Sequence, residues 1–311
     1  MAKEKSGESK SAATQFLTTI AQEFNRDKFE TLNECINFDD YLNRVIENPK
    51  IAALSHERVF NMIMSHGTDE REINGEKIPV YKFFKSSLFG IEDSIHAMMN
   101  YFKSAADRLD TRKRILLLHG PVSGAKSTIV TALKRGLEAY SKTDEGAIYA
   151  LEWLLDDGKV RRCEMNSDPL LVIPANMRTQ LYENYGIYVE GELPPQSRKI
   201  FKDLEDKYQG DFAKILKHVR ARRIVISEQD RICLGTFQPA DPKSQDMAEL
   251  NGSINYSMIG KVGSESDPDA WKFDGELNKA NRGLMEFIEM LKADERFLYI
   301  LLTLSQERQI K

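Results

Sequence analysis

Cysteine is scarce in this chain: Cys35, Cys163 and Cys233 stand far apart among 311 residues. With no C-x-x-C pair, they exclude a zinc ribbon and a disulfide scaffold and fit reduced thiols. Histidine is almost as sparse. The residues at 56, 66, 96, 119 and 218 show no ligand spacing, and His56-Glu57 lacks the second histidine that H-E-x-x-H requires. No G-x-S-x-G is present either, so the usual protease signatures are missing. An excess of positive charge is also lacking: 44 Lys and Arg against 48 Asp and Glu give a net charge of −4, so nucleic acid is not an expected partner. The longest late apolar run, Phe297 to Leu304, is too short to span a bilayer, and the leading MAKEKSGESKSAA has no apolar core of the signal-peptide kind. A cytoplasmic location without a membrane partner is the expectation.

What the chain does contain is a composition of 41% hydrophobic and 30% charged residues, which suits a soluble globular protein rather than a disordered one. Its organising stretch is RILLLHGPVSGAKSTIVTALK, residues 114–134. Ile115 to His119 reads as a short buried strand. Gly120, Pro121, Val122, Ser123, Gly124, Ala125, Lys126, Ser127 and Thr128 then turn the chain into an apolar-periodic helix. Small residues let successive N–H groups curl around an anion, and the following helix aims its positive dipole end at the same point. Lys126 supplies a mobile charge for the outer phosphates of ATP, and the Ser127 hydroxyl is placed to hold Mg2+. One position departs from G-x-x-x-x-G-K-[ST]: Ala125 stands where the second glycine belongs. If that backbone needs a positive φ, the Cβ costs about 1 kcal/mol.

Around this loop the chain divides as follows. Residues 1–12 read as a disordered tail, 13–66 as a helical region, 67–80 as a polar linker, and 81–311 as a nucleotide-binding domain with a large insert at about 141–230. Within that domain Ile91, Ile95, Met98, Met99 and Phe102 fall at helical spacing after Leu88-Phe89-Gly90. By analogy with other P-loop ATPases, Phe89 and Gly90 would cover the adenine ring. The insert carries a charged stretch, Gln196 to Arg223, read as helix. Its basic cluster Lys214, Lys217, Arg220, Arg222 and Arg223 is diluted by acids and reads as a solvated face. Ile232 to Phe237 reads as the second strand.

A P-loop ATPase also needs an acid at the end of a neighbouring strand, to hold magnesium and polarise the attacking water. Two stretches compete. Asp274-Gly-Glu276 has paired acids but follows DPDAWKF, which makes no apolar strand. Leu284 to Glu289 supplies the strand and ends in Glu289, with Glu286 inside it, and is preferred. Ile288 stands where a metal-binding Asp would be expected, so Glu289 is the candidate metal ligand together with Ser127.

With these residues in view, the chain resembles the ATPase region of the PrkA-type serine protein kinases within the AAA+ class. The matching stretches are LFGIEDSI at 88–95, LLLHGPVSGAKS at 116–127, LGTFQPADPKSQD at 234–246 and FDGELNKANRGLMEFIEMLKA at 273–293. The resemblance implies an α/β, three-layer αβα core with a parallel sheet, preceded by a small helical region. It implies Mg-ATP binding at 120–128, serine phosphorylation of a protein substrate, and assembly into a homo-oligomeric ring. Ala280 to Gly283 and the strand after it align with magnesium chelatase subunits and enhancer-binding activators, which makes 297–306 the next helix. In that register the chain stops before the sensor strand, the arginine finger, the helical lid and the family's C-terminal kinase-like region. Arg282 is a weak candidate for the finger.

The residues themselves support nucleotide binding and carry none of H-R-D, D-F-G or V-A-I-K. The expected activity is therefore that of an ATP-dependent module of a serine protein kinase. The alternative is a nucleotide-sensing regulatory scaffold that binds ATP without turnover. A DNA- or RNA-remodelling ATPase would rest on the 214–223 cluster alone.

Overall fold

The structure, a computed structural model, describes residues 12–23, 26–73, 76–85, 88–121, 124–238 and 246–307. The chain forms two compact units, residues 1–34 and 35–311. The first holds helices α1 (Ala12–Glu23) and α2 (Arg26–Leu32). The boundary thus falls inside the 13–66 stretch that helical periodicity groups together, and all but the last residue of the 1–12 tail lies outside the described residues.

The second unit opens with β1 (Cys35–Asn37), α3 (Phe38–Glu47) and α4 (Ser55–Met64). A hairpin of β2 (Thr68–Ile73) and β3 (Glu76–Tyr81) follows, paired from Thr68↔Tyr81 to Ile73↔Glu76. The 67–80 stretch is therefore mostly paired strand and not a linker. Then come α5 (Glu92–Ala106), α6 (Lys126–Ser141), β4 (Ile148–Leu154) and β5 (Val160–Arg162). Helices α7 (Ala175–Tyr185), α8 (Pro195–Tyr208) and α9 (Phe212–Leu216) lead to β6 (Val219–Ile224) and β7 (Leu234–Phe237). The remainder is α10 (Ala248–Asn251), β8 (Ser253–Ile254), α11 (Tyr256–Val262), β9 (Trp271–Lys272), α12 (Glu276–Lys279), β10 (Leu284–Phe287) and α13 (Glu295–Glu307).

The largest sheet runs β1-β6-β4-β5 and is antiparallel throughout. Side-chain alternation gives it two faces. Tyr149, Leu151 and Trp153 with Val219 and Ala221 meet Phe38, Tyr41 and Val45, the i, i+3, i+7 stripe of α3. From the other face, Ile148, Ala150 and Ile224 join a second core with the stripes of α5 (Ile95, Met98, Met99, Phe102) and α6 (Ile129, Leu133, Leu137, Tyr140). The 141–230 insert is thus packed onto the phosphate-loop helix rather than hung outside it. Its strands escape a periodicity search because β6, VRARRI, is half arginine. That strand also ends the helix read over 196–223, since α8 and α9 stop at Tyr208 and Leu216.

Strand β10 lies parallel to β7 in the register Leu284↔Leu234 to Phe287↔Phe237. Their inner residues gather with Leu250, Leu277 and Phe297 into a third core. The fold class is α/β, but the expected parallel sheet is reduced, among the described residues, to this pair. Ile115–His119 is extended without being a strand. Leu116 and Leu118 pack against the second core while Ile115 and Leu117 are exposed, the alternation a strand would have. No described strand pairs with the segment, and a ladder needs two partners.

Candidate nucleotide-binding site

Helix α6 begins at Lys126, and its first backbone bond runs from Ile129 N–H to the Ala125 carbonyl at 2.9 Å. The N–H groups of Lys126, Ser127 and Thr128 therefore have no acceptor within the helix and point out of its N-terminus. Ala125 enters the helix at φ 61°, ψ 5°, in the left-handed region. This is the strained backbone that a glycine would relieve, at the position where the motif has its second glycine. Gly124 N–H closes the loop by donating to the Pro121 carbonyl at 3.1 Å, and Cβ on Gly124 would lie 2.9 Å from that oxygen. Val122 and Ser123 lie outside the described residues.

The Lys126 ammonium turns back onto the loop, donating to the Gly120 carbonyl at 2.8 Å and the Pro121 carbonyl at 2.5 Å. These are neutral acceptors that a phosphate oxygen outbids, because a charge-assisted bond to an anion is roughly twice as strong. Ser127 and Thr128 are exposed in the first turn. The donor set of loop amides, one ammonium and one free hydroxyl fits a nucleotide phosphate with Mg2+.

Phe89 and Gly90 stand immediately before α5, Gly90 at φ 76°. Phe89 is exposed and helps line a cavity of about 640 Å³ with Pro79, Tyr81, Leu88 and Ile95. None of the described residues of 120–128 lines that cavity, so the structure does not bring Phe89 and those residues into one pocket.

The two acids of the β10 segment have separate surroundings. Glu286 pairs with the Lys134 ammonium at 2.6 Å, and Lys134 also reaches Glu228 at 2.6 Å and the Thr236 hydroxyl at 2.7 Å. Lys134 is buried, two turns along α6 from Lys126, or roughly 12 Å at 1.5 Å per residue. Burial pulls its pKa down, but the bonds and charges of Glu228 and Glu286 outweigh burial and hold it above the ordinary lysine value. Sequence reasoning missed Lys134, since one lysine on a helix reads as solvated. No local signal marks it, because its partners Glu228, Thr236 and Glu286 all lie 94 or more residues away.

Beyond Phe287 the ladder continues, Ile288 N–H donating to the Phe237 carbonyl at 2.9 Å. Glu289 then leaves it in the left-handed region at φ 53° and meets Lys292 at 2.8 Å, its carboxylate half-exposed. The competing acid Glu276 starts α12 beside β7, accepts from the Thr236 N–H at 3.0 Å and pairs with Arg231. Arg282 turns inward to pair with Asp168 at 2.6 Å and donate to the Asn166 and Tyr149 carbonyls. It holds β4 and the turn after β5 together, an internal tie rather than a finger aimed at a neighbour. Among the described residues no group of three or more His, Cys, Asp or Glu is arranged to hold a metal, and no helix is long and apolar enough to cross a membrane.

Comparison with known proteins bears on this arrangement. The family model described as the PrkA AAA domain matches residues 36–311. The chain is 52% identical over 275 residues to a Bacillus subtilis protein named ATP-dependent protease PrkA, covering 88% of this chain and 40% of that one. It is 31% identical over 223 residues to the Escherichia coli K12 protein named serine/threonine kinase YeaG, covering 70% of this chain and 32% of that one. An uncharacterized protein of Geobacillus stearothermophilus is 43% identical over 94 residues, 30% of this chain and 93% of that one. The chain thus spans well under half the length of the two named relatives. No solved structure matches. With a family model covering nearly the whole second unit, the chain belongs to the PrkA AAA domain family.

Proposed function

We propose that this chain is an ATP-binding AAA+ module in which nucleotide is linked to serine phosphorylation of a polypeptide, as the resemblance implies. The observation that carries the reading is Ala125 in the left-handed region immediately before Lys126, with three helix N–H groups unused beyond it. In this reading the loop amides and Lys126 bind the phosphates, Ser127 and Glu289 would hold Mg2+, and Phe89 and Gly90 would flank the base. Bound magnesium would supply charge neutralisation at the outer phosphates. Glu289 would orient water, and Glu286 would act by fixing its strand to α6. The domain plan that goes with it is a P-loop core over 81–311, assembling as a homo-oligomeric ring in a cytoplasmic protein.

The two named relatives point to different outputs of one ATP-using module, proteolysis in one name and phosphorylation in the other. Neither H-E-x-x-H and G-x-S-x-G nor H-R-D, D-F-G and V-A-I-K occur in these 311 residues, so the choice of phosphoryl transfer rests on the resemblance. One observation favours a second reading, a regulatory scaffold that binds ATP without turnover. The carboxylate of Glu289 is engaged by Lys292, and that of Glu286 by Lys134.

The test is ATP binding and hydrolysis by the purified chain, with and without magnesium, beside Lys126→Ala. Binding that falls at least tenfold in the variant is expected. Equal affinity in the two proteins would remove the phosphate-loop assignment, and binding without turnover would select the scaffold.

A further inference from the structure

On the open half of the largest sheet, one cross-strand row reads Asn37, Arg220, Glu152, Arg162 from β1 to β5. The row beside it places Cys35 next to Arg222. By the period-two alternation all six share a face, opposite the core that takes Leu151, Trp153, Val219 and Ala221. Three guanidiniums stand there against one carboxylate, an excess of two positive charges.

The arrangement of the charges matters as much as their number. Glu152 is buried and meets both Arg162 and Arg222 through their Nε atoms, each at 3.4 Å. The Nη groups of those two arginines donate to nothing among the described residues. Arg220 has no carboxylate within ion-pair distance among the described residues; its Nη2 makes a long bond of 3.4 Å to the Cys35 carbonyl, and its Nε is buried without a partner. Burial and the neighbouring charge of Arg162 both pull the Arg222 pKa below the ordinary guanidinium value, as expected where counter-charge is short. Burial and Glu152 push the Cys35 thiol up to about 11, so it stays neutral and adds no negative charge.

We propose that this face is a docking site for a phosphorylated serine or threonine side chain of a polypeptide, held by Arg162, Arg220 and Arg222 over the buried Glu152. A phosphate monoester near neutral pH carries close to two negative charges and three acceptor oxygens, which match the excess charge and the free Nη donors. Glu152 anchors two of the guanidiniums from below and leaves their outer edges for the ligand. A nucleic-acid backbone fits less well. The row is three inter-strand steps wide, roughly 14 Å at the usual strand spacing, and the chain as a whole is acidic, whereas a polyanion needs an extended basic track. The site shares no residue with the phosphate loop, and the proposal does not rest on nucleotide binding there.

The experiment is fluorescence anisotropy of a labelled Ala-Ala-phosphoserine-Ala-Ala peptide and its unphosphorylated twin against the whole chain, in wild type, Arg220→Gln, Arg162→Gln and Lys126→Ala. Binding of the phosphorylated peptide alone is expected. Arg220→Gln should weaken it about tenfold, the size of a lost hydrogen bond to a charged group. The Arg162 side chain is 70% exposed, so Arg162→Gln leaves packing intact and should still weaken binding. Lys126→Ala and excess Mg-ATP should not change it. Equal binding of both peptides, binding that survives both arginine variants, or binding abolished by Lys126→Ala would each overturn the proposal. So would inorganic phosphate competing at the peptide's own affinity, which would make the ligand a free anion. Tighter, salt-dependent binding of a duplex oligonucleotide that the same arginine variants abolish would overturn it in favour of nucleic acid.

Discussion

Lys134 and Glu286 meet at 2.6 Å between the phosphate-loop helix and the acidic strand, with 6% and 18% of their side chains exposed. The pair ties the element that begins with Lys126 to the element that leads to Glu289, so the distance between the two ends of the candidate site is set by a contact two turns away from it. Removing the lysine leaves a half-buried carboxylate without a partner. Lys134→Met should therefore lose about 3 kcal/mol of stability in urea unfolding at pH 8, the low end for a broken buried pair. Glu286→Gln should cost less, because Glu228 still pairs with Lys134. The lysine's folded pKa lies above its unfolded value, so its contribution is complete below about pH 10.4. The gap between wild type and Lys134→Met should then close as pH rises through the folded pKa. A gap that stays constant to pH 11.5 would mean that packing, not charge, makes the difference.

Ala125 supplies a second prediction. A left-handed Ala costs about 1–2 kcal/mol, and replacing it by glycine returns about 0.4–1 kcal/mol to the unfolded chain as entropy. Ala125→Gly should accordingly stabilise by a few tenths to about 1 kcal/mol, while Ala125→Val, with a branched Cβ at the same φ, should destabilise. Thermal melts of the three proteins order them as Gly, Ala, Val. A valine variant that melts with wild type would show that the turn relaxes to negative φ.

Particular residues show how far the sequence could be read. The helix after the loop and a strand within 284–289 were legible, because each has an apolar pattern of its own. The β10 strand is there, parallel to β7. The antiparallel sheet was not legible, because β5 and β6 carry arginines where a strand expects branched apolar residues; Val219 and Ala221 of β6 are buried in the core shared with α3, more than a hundred residues away. Ile115–His119 was read as a buried strand from its apolar run; the segment instead alternates, Ile115 and Leu117 being exposed, and a ladder depends on a neighbour that local sequence does not specify. The charged hairpin β2–β3 was hidden for the converse reason, having pairing without an apolar period.

Acid sensitivity follows from a surface cluster. Asp269 pairs with Arg161 and with Lys199, the latter at 3.0 Å, and Lys199 also reaches Asp267 at 2.8 Å. Burial raises the Asp269 pKa, but the two cations outweigh it and hold the carboxyl below its ordinary value. A depressed folded pKa means stability that is present above about pH 3.9 and lost as pH falls through the folded value. Asp269→Asn should lower stability at pH 7 by about 1 kcal/mol, since Arg161 and Lys199 are more than a third exposed and partly screened. The two melting temperatures should converge as pH falls through the folded value. A difference that persists in acid would assign the effect to packing of the largely buried side chain rather than to its charge.

Gly283 gives the sharpest contrast between two glycines. A Cβ there would collide with the Cys233 carbonyl oxygen and lie 2.6 Å from its carbon, because the chain enters β10 backbone against backbone, with Leu284 N–H donating to that same oxygen at 3.0 Å. Nothing flexible can give way, so Gly283→Ala must push β10 off β7, at a cost of about 3 kcal/mol or more. This is the physical reason for the Ala-x-x-Gly that precedes the acidic strand: Ala280 packs close to Gly235 on β7, and Gly283 lets the next strand begin. Gly120 has open space where its Cβ would be and an ordinary φ, so Gly120→Ala should change stability by less than about 0.5 kcal/mol. Paired denaturation curves with ATP-binding isotherms separate the two kinds of glycine. Gly283→Ala should lose stability first and binding only through it, whereas any loss of affinity in Gly120→Ala would come from the loop itself, at unchanged stability.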